Sequence, residues 1–234
     1  MLHLHALCIK HFQIRIMEQV TEISKNISDY SNMVMTNEKL ALSKIHQDDK
    51  NVAVFNRNTT HLKHEIVQFL ASPVQLKLSG KVDEILDELK AKFHETGSQF
   101  PLLFADIKEL LYVFKEVTKA KSFQLMLTGV KTDMCRKFHS DINDLRILCT
   151  YYGPGTLWLP KETIDKKAYS ADKDDFIIDE SLIQQVATGD AVILKGALYR
   201  NSDPVLHKSP PVEAQGEQRL LLRIDTNEFV NLFL

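Results

Sequence analysis

Residues 135–141 read CRKFHSD, and within them His139 and Asp141 stand two apart. In an extended chain residues i and i+2 point to the same side, so the pair can offer an imidazole nitrogen and a carboxylate oxygen to one ion. Of the 9 histidines, only His207, in VLHKSPP, lies beyond Asp141, which makes it the candidate third ligand from a distant strand. Two imidazoles and one carboxylate on one face of an octahedron leave three positions open, the donor set that suits non-haem Fe(II) and O₂. The same spacing recurs at His46-x-Asp48, in a polar stretch without the ordered strands that follow His139. His61 and His64, at i and i+3 in THLKHEIVQFL, share a helix face but have no evident third ligand, so a surface position is the simpler reading.

A second constraint comes from RLLLRID. On a strand, Arg219, Leu221, Arg223 and Asp225 share one face, and Leu220, Leu222 and Ile224 share the other. The aliphatic face must pack on something apolar, such as helices. The arginine face then points either to solvent or into the mouth of a barrel. In a barrel mouth it needs an anion, and a dicarboxylate would satisfy a guanidinium by paired hydrogen bonds.

The order His139-x-Asp141, then TGDAVILKG, then His207, then Arg219 resembles the Fe(II)- and 2-oxoglutarate-dependent dioxygenases. The resemblance implies an α+β chain with a double-stranded β-helix (jelly-roll, cupin-like) core backed by N-terminal helices. It implies Fe(II) held by His139, Asp141 and His207, and 2-oxoglutarate chelating the iron through its 2-oxo acid end. Arg219 would clamp the far carboxylate, with Arg223 as the alternative clamp, and the reaction would be hydroxylation of an unknown substrate. GDAVIL is similar to the strand that precedes the last histidine in those enzymes, and GALYRNSDPV departs from their pattern as an inserted loop. The stretches DMCRKFHSDINDLRILCTYYGPGTLWLP, GDAVILKG, HKSPP and RLLLRID are similar, in that order, to an uncharacterised bacterial domain-of-unknown-function family. That similarity covers 121–225 well and 50–120 more thinly, and it carries no activity.

On the oxygenase reading YYGPGTLWLP borders the site, with Tyr152 and Thr156 as cosubstrate contacts and Trp158 as a substrate contact. Alternation puts Tyr151 and Tyr152 on opposite faces, and Trp158, the only tryptophan, can equally anchor the core. Gly153 and Gly155 serve the turn. Two other readings stay open. The same ligands suit Zn, Mn or Ni in a jelly-roll enzyme or metal-homeostasis factor that is not an oxygenase. The fold can also serve as a binding protein without turnover.

These residues need elements to position them. At 234 residues the chain can bury a real core, and with 44% apolar and 26% charged residues it reads as globular. The net charge of -2 and the lack of a basic stripe argue against nucleic acid as a partner. A small molecule or peptide is the expected substrate, and oligomeric state is not legible. No apolar run is long enough to span a bilayer, and the 3 cysteines make no disulfide framework, so a cytoplasmic location with free thiols is expected.

Residues 11–46 read as helical, and 1–46 as an N-terminal extension. The remainder, 47–234, reads as one domain, with helical support over 47–120 and a β core over 121–234. NVAVF and VQLKLSG are strand candidates. A helix with Thr59 or Thr60 as its N-cap follows the first, and KVDEILDELKAKFHE and FPLLFADIKELLYVFKEVTKA are amphipathic helices. SFQLMLTGV, LRILCTYY, TLWLP, DFIID, AVILKG, PVLH and RLLLRID follow as strands. Helices first and many short strands after them suit a sandwich or barrel rather than alternating βαβ units.

Overall fold

The two hydrophobic periods of the sequence, helical before residue 120 and alternating after it, are both realised in the computed structural model. The structure describes residues 30–226 except 73, 172, 174, 201 and 202. Three helices supply the first layer: α1 (Lys63–Leu70), α2 (Val82–Glu95) and α3 (Pro101–Thr118). On α2 the expected stripe of Val82, Ile85, Leu86 and Leu89 is buried, together with Phe93. Its first turn is closed by Glu84, whose Oε2 accepts from the Lys81 N–H at 2.8 Å.

The entry to α3 is capped from another helix. Glu65 on α1 accepts from the backbone N–H groups of Leu102 at 3.1 Å and Leu103 at 2.8 Å. One buried carboxylate thus satisfies two N–H groups that the helix cannot pair and sits at the positive end of its dipole. The cap expected at Thr59 or Thr60 is supplied instead by Asn58. Its Oδ1 accepts from the Thr60 N–H at 2.9 Å and from the Thr60 hydroxyl at 2.7 Å. A 3₁₀ turn at Thr60–Leu62 precedes α1, with Thr59 at its N-cap position but making no side-chain capping hydrogen bond.

Seven strands form the large sheet: β1 (Met33–Thr36), β2 (Val52–Phe55), β3 (Leu76–Gly80), β4 (Phe123–Val130), β5 (Leu145–Tyr152), β8 (Ala191–Lys195) and β10 (Arg219–Thr226). Their order is β1-β2-β8-β5-β10-β4-β3, antiparallel throughout except for the β1–β2 pair. A smaller antiparallel sheet has the order β7-β6-β9, from β7 (Gln184–Gln185), β6 (Leu157–Trp158) and β9 (His207–Lys208). A short helix α4 (Lys166–Ser170) lies in the segment between β6 and β7. DFIID does not form a strand. Its only ladder contact is a single bridge from Ile177 to Ile164.

The core lies between the helices and one face of the large sheet. Leu220, Leu222 and Ile224 of β10 and Leu145, Ile147 and Cys149 of β5 join Leu89, Leu103, Ile107 and Phe114 of the helices in one buried cluster. Strand alternation therefore sends Arg219, Leu221 and Arg223 to the opposite face, as the sequence pattern required.

A polar pin crosses the core. Arg57 binds both oxygens of Asp106 on α3 at 2.8 and 3.0 Å, and donates to the Gly189 carbonyl at 2.8 Å and to Cys149 Sγ at 3.1 Å. Tyr151 donates to the same Asp106 carboxylate at 2.6 Å. Burial pushes the Cys149 thiol up to about 12, despite the opposing effect of the Arg57 cation.

Among the described residues, the helical reading of 11–46 holds only for Lys39–His46. Met33–Thr36 is a strand that pairs in parallel with β2, and Lys39–His46 is a 3₁₀ helix whose Leu42 and Ile45 are fully buried. Residues 33–46 therefore close one edge of the large sheet. The physical reason is tertiary: MVMT has no partner in sequence, and the exposed edge of β2 supplies one. The part of the helical reading before residue 30 lies outside the described residues. Among those residues, no helix is long and apolar enough to cross a membrane.

Candidate functional site

The face of the large sheet turned away from the helices meets the small sheet. His139 lies just before β5, and its backbone pairs with β9: His139 N–H donates to the His207 carbonyl at 3.0 Å and His207 N–H to the His139 carbonyl at 2.9 Å. This two-bond bridge brings the two imidazoles together, with ring centroids 4.7 Å apart. Asp141, two residues on, falls between them. Its Oδ2 is 3.2 Å from His207 Nε2 and its Oδ1 is 3.8 Å from His139 Nε2.

His139, Asp141 and His207 each present a donor atom within 4.8 Å of the others, and no other such group of three occurs among the described residues. Adjacent ligands that each lie about 2.1 Å from one ion are about 3 Å apart, so these separations suit a shared ion with small adjustments. The outer contacts suit it too. His139 Nδ1 lies 3.1 Å from the Lys137 carbonyl, which fixes the ring and leaves Nε2 for an ion. His207 Nδ1 is buried and has no hydrogen-bond partner, while Asp141 Oδ2 is buried and held by ion pairs to Arg146 and His207. Donor type, spacing and unmet bonding capacity therefore all fit a divalent cation such as Fe(II).

Asp141 is prepared as an anion. Burial pushes its carboxyl up, but the hydrogen bond and charge of His207, together with Arg146 and His139, outweigh that and hold it at about 2. Arg146, on β5, is the link to the neighbouring strand: it pairs with Asp141 Oδ2 through Nη1, and its Nε lies 2.5 Å from Asp225 Oδ1. Asp225 also receives Asn143 Nδ2 at 3.1 Å and lies 3.0 Å from Arg223 Nε.

Arg219 lines the same cavity as His139, His207 and Thr156. It is 1% exposed, and among the described residues no carboxylate pairs with it. Its Nη2 donates to Thr150 Oγ1 at 2.9 Å and to Thr156 Oγ1 at 3.3 Å, and its Nε has no partner. Burial pulls this guanidinium down to about 10, which leaves it charged at neutral pH and short of a counter-ion. Arg223 lines the cavity as well, but its side chain is 35% exposed and already meets Asp225.

Two expected contacts lie elsewhere. Tyr152 is 40% exposed and borders a separate depression with Lys131, Gly153 and Gln218. A register shift between Leu220 and Leu221, opposite the end of β5, turns Tyr152 away from the metal face. Trp158 does not line the cavity. It is 2% exposed and pairs across the small sheet with His207, where it braces the ligand-bearing strand.

The GPG turn is constrained by close approach rather than chemistry. A Cβ on Gly155 would lie 1.8 Å from the Val186 carbonyl oxygen, and Gly153 has φ +78° beside the backbone of Gln218. His46 is fully engaged away from any ion, with Nδ1 2.7 Å from the Tyr199 hydroxyl and Nε2 2.8 Å from the Val117 carbonyl. His61 and His64 are exposed and join no ligand group among the described residues.

Arg146, Thr150 and Asp225 were not assigned roles from the sequence. The available signal was LRILCTYY, where Arg146 and Thr150 interrupt an otherwise apolar strand at alternate positions.

Comparison with known proteins places this geometry. The fold is similar to that of a dioxygenase for auxin oxidation 1 from Arabidopsis thaliana, determined with 2-oxoglutarate bound. The TM-score is 0.52 at 8% identity, over 83% of this chain and 91% of that one. Lower scores relate it to a Pseudomonas putida prolyl-4-hydroxylase (TM-score 0.41, 12% identity, 80% of this chain and 97% of that one). A full-length Neurospora crassa protein in complex with alpha-KG scores similarly (0.42, 9% identity, 83% of each chain). The first likeness shows the jelly-roll fold of the 2-oxoglutarate oxygenases. No curated protein sequence matches the chain. A family model matches residues 36–225 and so spans most of the chain, which therefore belongs to the family described as protein of unknown function (DUF1826).

Proposed function

We propose that this protein is an Fe(II)- and 2-oxoglutarate-dependent dioxygenase. The observation that carries the reading is Arg219: a buried guanidinium without a counter-ion among the described residues, opening on the cavity lined by His139 and His207 of the His-Asp-His group. A metal site alone does not explain why a fold would bury an unpaired cation, since doing so is strongly unfavourable. A dicarboxylate cosubstrate supplies the missing anion.

On this reading His139, Asp141 and His207 hold the iron, with Asp141 kept ionised by its neighbours. When bound, Fe(II) with 2-oxoglutarate supplies oxidative hydroxylation of a C–H bond. Arg219 binds the far carboxylate of 2-oxoglutarate. Thr150 and Thr156 hold the guanidinium in place, so it needs little reorganisation when the anion arrives. Leu148, Leu221 and Met126 line the remainder of the cavity and keep water from the cosubstrate. Arg146 ties Asp141 to Asp225, which anchors the ligand carboxylate, itself in the loop before β5, to strands β5 and β10.

The test is turnover of the cosubstrate itself. Fe(II)-loaded protein in air, with ascorbate supplying the two electrons that reduce the second oxygen atom of O₂ to water, should convert 2-oxoglutarate to succinate and CO₂ slowly even without a primary substrate, and Asp141→Ala should not. Absence of succinate above the Asp141→Ala background would count against the proposal.

A further inference from the structure

We propose that the primary substrate carries an anionic group, recognised by Arg223 at the open end of the cavity. This rests on the oxygenase reading above, and it follows from the charge balance of the site.

Four cationic side chains line the cavity: Arg146, Arg219, Arg223 and Lys208. Two carboxylates touch them, Asp141 and Asp225. The doubly positive ion and the doubly negative cosubstrate cancel each other. The cavity therefore keeps two more positive than negative charges after both are bound. In a partly dehydrated site such an excess is unfavourable unless a further anion enters.

The position of the excess is defined. Arg219 is consumed by the cosubstrate. Arg146 lies between Asp141 and Asp225 and is compensated on both sides. Arg223 only shares Asp225 with Arg146, through one contact at 3.0 Å from its Nε. Among the described residues Lys208 meets no carboxylate, and its Nζ lies 4.5 Å from the centroid of the Phe138 ring.

Exposure then separates the two arginines of β10. Arg219 is sealed in the interior, whereas the Arg223 side chain is 35% exposed. A group held by Arg219 is enclosed, and a group held by Arg223 is reached from solvent. A substrate enters from solvent, so Arg223 is the recognition residue. The shared chemistry is that of an oxyanion, carboxylate or phosphate, which a guanidinium binds by charge-assisted hydrogen bonds.

The experiment uses anaerobic full-length protein loaded with Fe(II) and 2-oxoglutarate. It is titrated with acetate and with inorganic phosphate, probes small enough that substrate shape does not decide the outcome. Trp158, paired opposite His207, provides a fluorescence readout. The proposal expects saturable binding of at least one anion, weakened about tenfold or more in Arg223→Gln. The charge-transfer band of bound 2-oxoglutarate should persist in that variant.

Preference for acetate points to a carboxylate substrate, and preference for phosphate to a phosphorylated one. No saturation by either anion overturns the proposal. So does equal binding by wild type and Arg223→Gln, which is the mark of an adventitious ion only. Absence of the charge-transfer band in the wild type is a different result, and it removes the oxygenase reading itself.

Discussion

Asp141 Oδ2 lies 3.2 Å from His207 Nε2, although the two residues are far apart in the sequence. The contact exists because the backbones of His139 and His207 are paired by two hydrogen bonds. The side chains that meet an ion are thus set by pairing of the backbone.

Metal affinity should follow this group of three and not the repeated His-x-Asp spacing. His139→Ala, Asp141→Ala and His207→Ala should each abolish tight binding of Fe(II) or Mn(II), measured by anaerobic equilibrium titration. His46→Ala should retain it, because that ring is committed to Tyr199 and Val117. Its expected defect is a modest loss of stability, about 1–2 kcal/mol for two lost hydrogen bonds. Equal loss of metal in His46→Ala would mean that the site is elsewhere.

Arg219 should show opposite effects on stability and binding. In the ligand-free protein a buried cation without a counter-ion opposes folding, so Arg219→Met should leave stability unchanged or raise it by about 1–3 kcal/mol. The same change should weaken 2-oxoglutarate binding. Urea unfolding with and without the cosubstrate reads both effects. A variant destabilised by several kcal/mol would identify Arg219 as a structural residue.

The pin between Arg57 and Asp106 should be purely structural. Both side chains are 9% exposed, so Asp106→Ala leaves a guanidinium buried without its partner and frees the Tyr151 hydroxyl. A loss of about 3–5 kcal/mol in urea unfolding is expected. Metal affinity per folded molecule should stay near that of the wild type.

The two described thiols should differ in reactivity. Burial holds the Cys149 thiol up at about 12, so it stays protonated at pH 8. Cys135 is exposed and lines the metal cavity. Alkylation at pH 8 followed by peptide mapping should modify Cys135 and spare Cys149 until the protein is unfolded. Modification of native Cys149 would mean that the core near Arg57 opens more readily than its packing implies.

Much of this site was legible in the sequence, and the parts that were not share a cause. His139-x-Asp141 and the alternation of RLLLRID are local patterns, and strand geometry alone assigns their faces. The third ligand could be found because His207 was the only histidine left. Tyr152 was misplaced because a one-residue register shift between paired strands leaves no mark in either strand's own pattern. Trp158 was drawn toward the substrate by its neighbourhood in sequence, whereas cross-strand pairing set it beside His207, where it is buried and does not line the cavity. Met33–Thr36 became a strand because a distant edge was available to it. Arg146 and Asp225 acquire meaning only when β5 and β10 are side by side. Each of these depends on which segments become neighbours, and local periodicity does not encode that.

The central claim is that one cavity holds both a metal and 2-oxoglutarate. Anaerobic titration of the Fe(II)-loaded protein with 2-oxoglutarate, followed in the visible spectrum, tests it most directly. The account predicts a metal-to-ligand charge-transfer band that saturates in the wild type, is absent in His207→Ala and is weakened in Arg219→Ala. A protein that binds Fe(II) through His139, Asp141 and His207 and shows no band at any 2-oxoglutarate concentration would contradict it.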